Sequence, residues 1–153
     1  LPDTFGQFFD PRKMNRTGRR TMKFARWYLI INGLMLALYG AYCIYSPQFV
    51  ADITAMTAST KAITEIRAMY GGAEFTLGLF FIVMASQPRY HEPGLIGLAL
   101  LYGGLCSARA LGIAIQGGDD YNTPAVIFET TAAALAVFGL IRLRKPASEK
   151  APT

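Results

Sequence analysis

This chain is short of charge. Charged residues make up 16% of its 153 residues, against roughly 25% in an ordinary soluble domain, while hydrophobic residues make up 52%. The deficit is uneven, because most charges crowd into the tails and loops and leave four apolar runs between them. That pattern excludes a water-soluble globule. Potential metal ligands are scarce too. The single histidine, His91, falls in a short loop and reads as a solvated residue. The two cysteines, Cys43 and Cys106, sit in apolar runs at different depths, so they read as small interior residues rather than a disulfide. No metal-ligand spacing, phosphate loop, nucleophile triad or haem-ligand pair is present. Neither an enzyme nor a metal site is expected, and no cofactor beyond bound lipid or quinone.

What the chain does have is basic residues. The net charge is +5, but the lysines and arginines flank apolar runs and belong to no DNA-reading motif. The expected partner is therefore membrane lipid, and nucleic acid is not expected. Residues 1–21 are basic and aromatic, with Phe5, Phe8 and Phe9 at helical spacing behind Thr4 and Gln7. They read either as an amphipathic N-terminal arm, lying on the membrane or on a partner, or as a disordered tail. Leu1 in first place is compatible with processing or a non-standard start, with Met14 and Met22 as alternative starts.

The four runs predict an all-α, integral membrane four-helix antiparallel bundle over 22–145, with spans at about 27–45, 68–85, 94–115 and 124–141. The first span reaches ~28 Å at ~1.5 Å per residue, close to the hydrocarbon thickness. Trp27, Tyr28, Tyr42 and Tyr45 mark its ends. It is too long for a secretory leader and has no convincing cleavage site. Ser46-Pro47 stops it, and Phe49, Val50, Ile53 and Met56 predict a short interfacial helix over 48–57. The helix of the second span is expected to begin earlier than the span, near Ser59 or Thr60, and to end at Gln87-Pro88. Gly117-Gly118 ends the third, and Arg142, Arg144 and Lys145 close the fourth. The tail over 146–153 is expected to be disordered.

Seven cations precede the first span, Arg89 lies between spans two and three, and four more end the chain. The opposite side has Lys61 and the membrane-edge Arg67, with Asp119 and Asp120 in its second loop. This asymmetry places both termini in the cytoplasm.

Charges inside spans are costly and mark either function or a required pairing. Glu74, Arg109 and Glu129 each fall five or six residues from the far end of a span, ~8–9 Å deep at ~1.5 Å per residue. Three helices thus bring charge to one level. Arg67 shares a face with Tyr70, Gly71, Glu74 and Gly78 at helical spacing, so a neutral set of Arg67, Glu74, Arg109 and Glu129 is expected. Asn32 and Tyr39 on span one, Tyr70 on span two and Tyr102 on span three are the residues expected to line the same pocket. Two readings stay open. One is an ion-pair knot that fixes helix order. The other is a polar pocket in which Arg109 meets an anionic or carbonyl group and a glutamate titrates. Small-residue rows, Gly104, Ala108 and Gly112 on span three and Ala132 and Ala136 on span four, read as packing inside the bundle or as a subunit interface. The paired Tyr70-Gly71-Gly72 and Tyr102-Gly103-Gly104 triplets lie on spans of opposite direction and read as shared packing chemistry.

The segment Glu65-Ile66-Arg67-Ala68-Met69-Tyr70-Gly71-Gly72 followed by Leu77-Gly78-Leu79, the Gly103-Gly104 and Ala108-Arg109-Ala110-Leu111 of the third span, and Glu129 in the fourth resemble a bacterial family of small four-helix membrane proteins known as domain of unknown function 4345. The resemblance covers roughly 24–143. It implies the fold and a bacterial cytoplasmic (inner) membrane location, and no activity. The layout is also similar to the DoxX-like four-helix proteins, some of which accompany quinone-linked oxidoreductases, a likeness of fold that does not carry function. The function expected first is that of a non-catalytic accessory or structural protein packing against other membrane protein subunits. The alternative is a binder or carrier of a small amphipathic molecule (lipid, quinone or isoprenoid) at an outer-leaflet charged pocket.

Overall fold

The computed structural model describes residues 16–57 and 59–144. The N-terminal arm and C-terminal tail read from the sequence lie outside them, except for 16–21, which form the first turns of a helix. Four helices are long and apolar enough to cross a membrane. They are α1 (Arg16–Tyr45), α3 (Thr60–Ser86), α4 (His91–Gln116) and α5 (Asn122–Arg144); a short α2 (Gln48–Ile53) follows α1. Leu38, Leu100, Leu111, Ile115 and Ile127 are 62% to 73% exposed. So much outward apolar surface is at home in hydrocarbon and not in water.

α1 begins well before the apolar run that marks its span. Its 30 residues reach ~45 Å at ~1.5 Å per residue, beyond the ~30 Å hydrocarbon layer. Packing explains the extra turns. Ala25 and Leu29 are fully buried, and Phe24 stacks on Tyr28 (5.6 Å) and meets Phe138 edge-on (6.2 Å). Arg19, Arg20, Lys23 and Arg26 point outward from the same turns.

The interfacial helix expected over 48–57 is shorter and faces differently. α2 ends at Ile53, the Thr54 hydroxyl donates to the Val50 carbonyl (2.6 Å), and Ala55 takes a left-handed φ of 53°. Val50 and Ala51 are buried with Cys43 and Ile66, while Phe49, Ile53 and Met56 remain exposed. The chain needs a sharp return into α3, and that turn takes the residues that would have continued the helix.

Ser59 caps α3 by accepting from the Ala62 amide (3.2 Å). From Arg67 to Ala73 the helix is π-wound. Arg67 and Gly71 both reach Ile44 of α1 across this turn. α3 gives way to a 3-10 turn at Pro88–Tyr90, and α4 stops at Gly117, whose φ of 92° suits glycine.

α1 and α3 form one close pair, and α4 and α5 the other. Between α1 and α3 the contact is backbone on backbone. A methyl added to Gly33 would lie 2.8 Å from the Gly78 carbonyl oxygen, and one on Gly40 would lie 2.7 Å from that of Gly71. The two pairs join toward the end that carries Arg16 and Arg144, around Ala25, Leu29, Phe81, Leu95, Leu98, Tyr102 and Ala136. The small residues of α5 take part, since Ala132 and Ala136 are buried. Those of α4 do not. Gly104 and Ala108 are exposed, and nothing lies within 4 Å of a methyl placed on Gly103 or Gly104.

His91 is a correction. It is 3% exposed rather than solvated, and its Nε2 lies 3.3 Å from the Ala85 carbonyl. That carbonyl is in the last turn of α3 and lacks a helical partner. The imidazole caps it, while Nδ1 is buried without a partner among the described residues.

Candidate functional site

The Arg109 guanidinium is held from two sides. On α5, Glu129 is 4% exposed and accepts from Nε (3.1 and 3.2 Å) and from Nη2 (3.0 Å). At the start of the same helix, the Asn122 side-chain oxygen accepts from Nη1 (2.7 Å). This two-nitrogen clamp is stronger than a single contact. The Tyr121 ring faces the guanidinium at 5.6 Å. Burial pushes the Tyr121 phenol above its usual value, against the pull of the Arg109 charge.

The loop before α5 is built to hold Asn122. Asp119 accepts from the Tyr121 amide (2.9 Å), the Asn122 amide and the Asn122 side chain (2.6 Å). These donors, the Asn122 amide first, hold the Asp119 carboxyl below the usual range. Asp119 thereby orients Asn122, and Asn122 orients Arg109.

The expected neutral set divides. Arg109 and Glu129 meet, whereas the Arg67 Nε donates to the Ile44 carbonyl (3.0 Å) at the end of α1. Glu74 makes no hydrogen bond or ion pair to any described residue. It lies within electrostatic range of Tyr39, Cys43 and Tyr102, on the inside of the bundle.

Of the four residues expected to line the pocket, Asn32 and Tyr102 bond directly. The Tyr102 hydroxyl donates to the Asn32 side-chain oxygen (2.9 Å), and the Asn32 amide donates to the Tyr28 carbonyl (2.8 Å). The Tyr28 hydroxyl continues the chain to the Ala132 carbonyl (2.6 Å). Tyr39 and Tyr70 both pack on the α2 cluster that includes Cys43. Cys106 lies apart, 3.0 Å from the Thr130 hydroxyl.

Beside Arg109 is a half-open cavity of about 410 Å³. Leu105, Ala108, Gly112 and Ile113 form its apolar wall, and Arg109, Gln116, Asp119 and Asn122 its polar one. The α4 residues recur at helical spacing, and the Gly117-Gly118 turn closes the end. None of Asn32, Tyr39, Tyr70 or Tyr102 lines it. Asn122, Asp119 and Gln116 are the residues that sequence reasoning misses. With the fourth span expected from 124, Asn122 counts as loop. The available signal is an Asp directly after a Gly-Gly helix stop with an Asn three residues on, in the loop that follows the helix of Arg109. Among the described residues, no three of His, Cys, Asp and Glu gather to hold a metal ion.

Four apolar helices around buried polar contacts define an integral membrane helical bundle. Within that class, the match of a family model over residues 24–140 places the chain in the family described as Domain of unknown function (DUF4345). No curated protein and no solved structure matches the chain.

Proposed function

We propose that this protein binds a small amphipathic molecule, its polar end beside Arg109 and its apolar part along α4. The observation that carries this reading is the cavity, whose size falls within the ~300–1,000 Å³ of small-molecule sites and whose wall is apolar on one side and polar on the other. A bundle stabilised by an ion pair alone needs no opening there. Lipid, quinone and isoprenoid head groups all suit such a site. Glycine 112 provides the test, because a methyl at that position meets nothing closer than the Gln116 side chain at 3.9 Å. Gly112→Leu is expected to fold normally and fill the space. Native mass spectra of the wild-type chain, extracted gently from its membrane, are expected to carry a bound amphipath that Gly112→Leu lacks. Identical bare spectra for the two would defeat the reading.

A second reading, an accessory role beside other membrane protein subunits, draws support from the bare Gly103-Gly104 face of α4, which offers close approach to another helix. Gly104→Leu is then expected to release a partner that co-purifies with the wild type. A wild-type particle that is monomeric after mild extraction counts against it.

A bacterial inner membrane is the location proposed for it. Exposed Arg19, Arg20, Lys23 and Arg26, with Arg142 and Arg144 at the same end, support cytoplasmic termini. Membrane-impermeant labelling of Asp120→Cys in intact cells is expected to succeed, and protection of that cysteine would reverse the topology.

A further inference from the structure

Building on the binding reading, we propose that the Arg109 cavity selects a neutral head group bearing a hydrogen-bond-accepting oxygen, such as an ester or ketone carbonyl, and rejects anionic ones. An intramembrane arginine at a cavity would by itself invite phosphate or carboxylate. Here its charge is already spent. Glu129 is clamped on Nε and Nη2 at 3.0–3.2 Å, so the pair offers the cavity almost no net positive field. The other charged residue of the wall is Asp119, with Asp120 next to it. Counted together, Arg109, Glu129 and Asp119 leave an excess of negative charge, which repels an incoming anion.

Hydrogen-bond capacity points the same way. A guanidinium has five N–H groups. Glu129 and Asn122 engage three of them, through Nε, Nη1 and Nη2. Glu129 and Asn122 leave two unengaged, on a side chain that is 24% exposed and lies beside the Tyr121 phenol. The acceptors are better occupied. Asp119 accepts from two backbone amides and one side chain, and the Asn122 oxygen accepts from Arg109. Arg109 therefore keeps hydrogen-bond capacity while the wall keeps no net positive charge. A carbonyl oxygen can accept from an unengaged N–H without bringing a charge that needs a counterion.

The test uses the full chain in neutral detergent and two probes with the same acyl chain, 1-oleoylglycerol and 1-oleoyl-lysophosphatidic acid. They differ by one phosphate. Titration by native mass spectrometry is expected to show at least about tenfold tighter binding of the neutral probe, as like-charge repulsion would produce. Gly112→Leu and, independently, Ala108→Leu are expected to abolish that binding. Equal or tighter binding of the phosphate probe, sensitive to these cavity-filling changes, overturns the head-group inference and leaves the binding reading standing. If neither probe binds, or binding ignores the substitutions, the binding reading falls and this inference with it. The comparison of probes on the native chain needs no variant, so misfolding of a variant does not shield the proposal.

Discussion

Two ion pairs among the described residues differ in what surrounds them. Glu92 and Arg144 meet at 2.7 Å with both side chains about half exposed, a setting in which such a pair contributes about 0–1 kcal/mol. Glu129 is 6% exposed in its side chain, and removing its partner leaves a charge without water or counterion. Arg109→Gln is expected to cost about 2–3 kcal/mol, somewhat under the ~3–5 typical of broken buried pairs because Arg109 itself is partly exposed. The double change with Glu129→Gln is expected to cost less than the sum of the single ones, and unfolding in detergent measures all three. Additive losses would mean the two residues do not act together. Asp119 adds a pH dependence. Its folded carboxyl lies below the usual range, so its stabilising effect is complete above the ordinary carboxylate value and fades as pH falls through the lower folded one. Wild type is therefore expected to be more stable than Asp119→Asn at neutral pH, with the gap closing in acid. A gap that is constant across pH would exclude the charged cap.

At the level of helices, glycines divide into those that touch and those that do not. Gly33, Gly40, Gly71 and Gly78 let α1 and α3 meet backbone to backbone. Gly78→Leu is expected to prevent pairing and lose the folded protein, since even a methyl there would lie 2.6 Å from the Gly33 carbonyl oxygen. Gly104→Ala has open space and removes a weak helix former, so it is expected to raise stability by up to about 1 kcal/mol. Melting temperatures of the two variants distinguish these glycine classes; a loss of stability in Gly104→Ala would show that the face is covered. The sequence displayed its small-residue row on the third span, while the row that packs most closely in the structure is Gly33-Ala37-Gly40 on the first. Spacing alone marks where helices can approach and not whether a neighbour is present.

Across the whole molecule, the two hairpins are joined by a thin polar thread. The bond from the Tyr102 hydroxyl to Asn32 links α4 to α1, and the bond from Tyr28 to the Ala132 carbonyl links α1 to α5. Tyr102→Phe leaves a buried amide oxygen short of a donor and is expected to cost about 1 kcal/mol. The loss should appear as weaker association of the hairpins with helix content unchanged. Lost helix content would place the bond within hairpin formation instead. Asn32 and Tyr102 were legible as inward polar residues from span-level reasoning, though they belong to this thread and not to the cavity.

Apolar length by itself determined that this chain crosses a membrane in four helices, because hydrocarbon admits few other ways of satisfying the backbone. Matching depth likewise brought Arg109 and Glu129 to one level. Tertiary structure alone decided which charges meet. Arg67 bonds the Ile44 carbonyl, Glu74 is left without a cation among the described residues, and the loop after Gly118 brings in Asn122. Depth along a helix follows from counting residues. Rotation about its axis depends on winding and on neighbouring surfaces, which arise only when the helices pack.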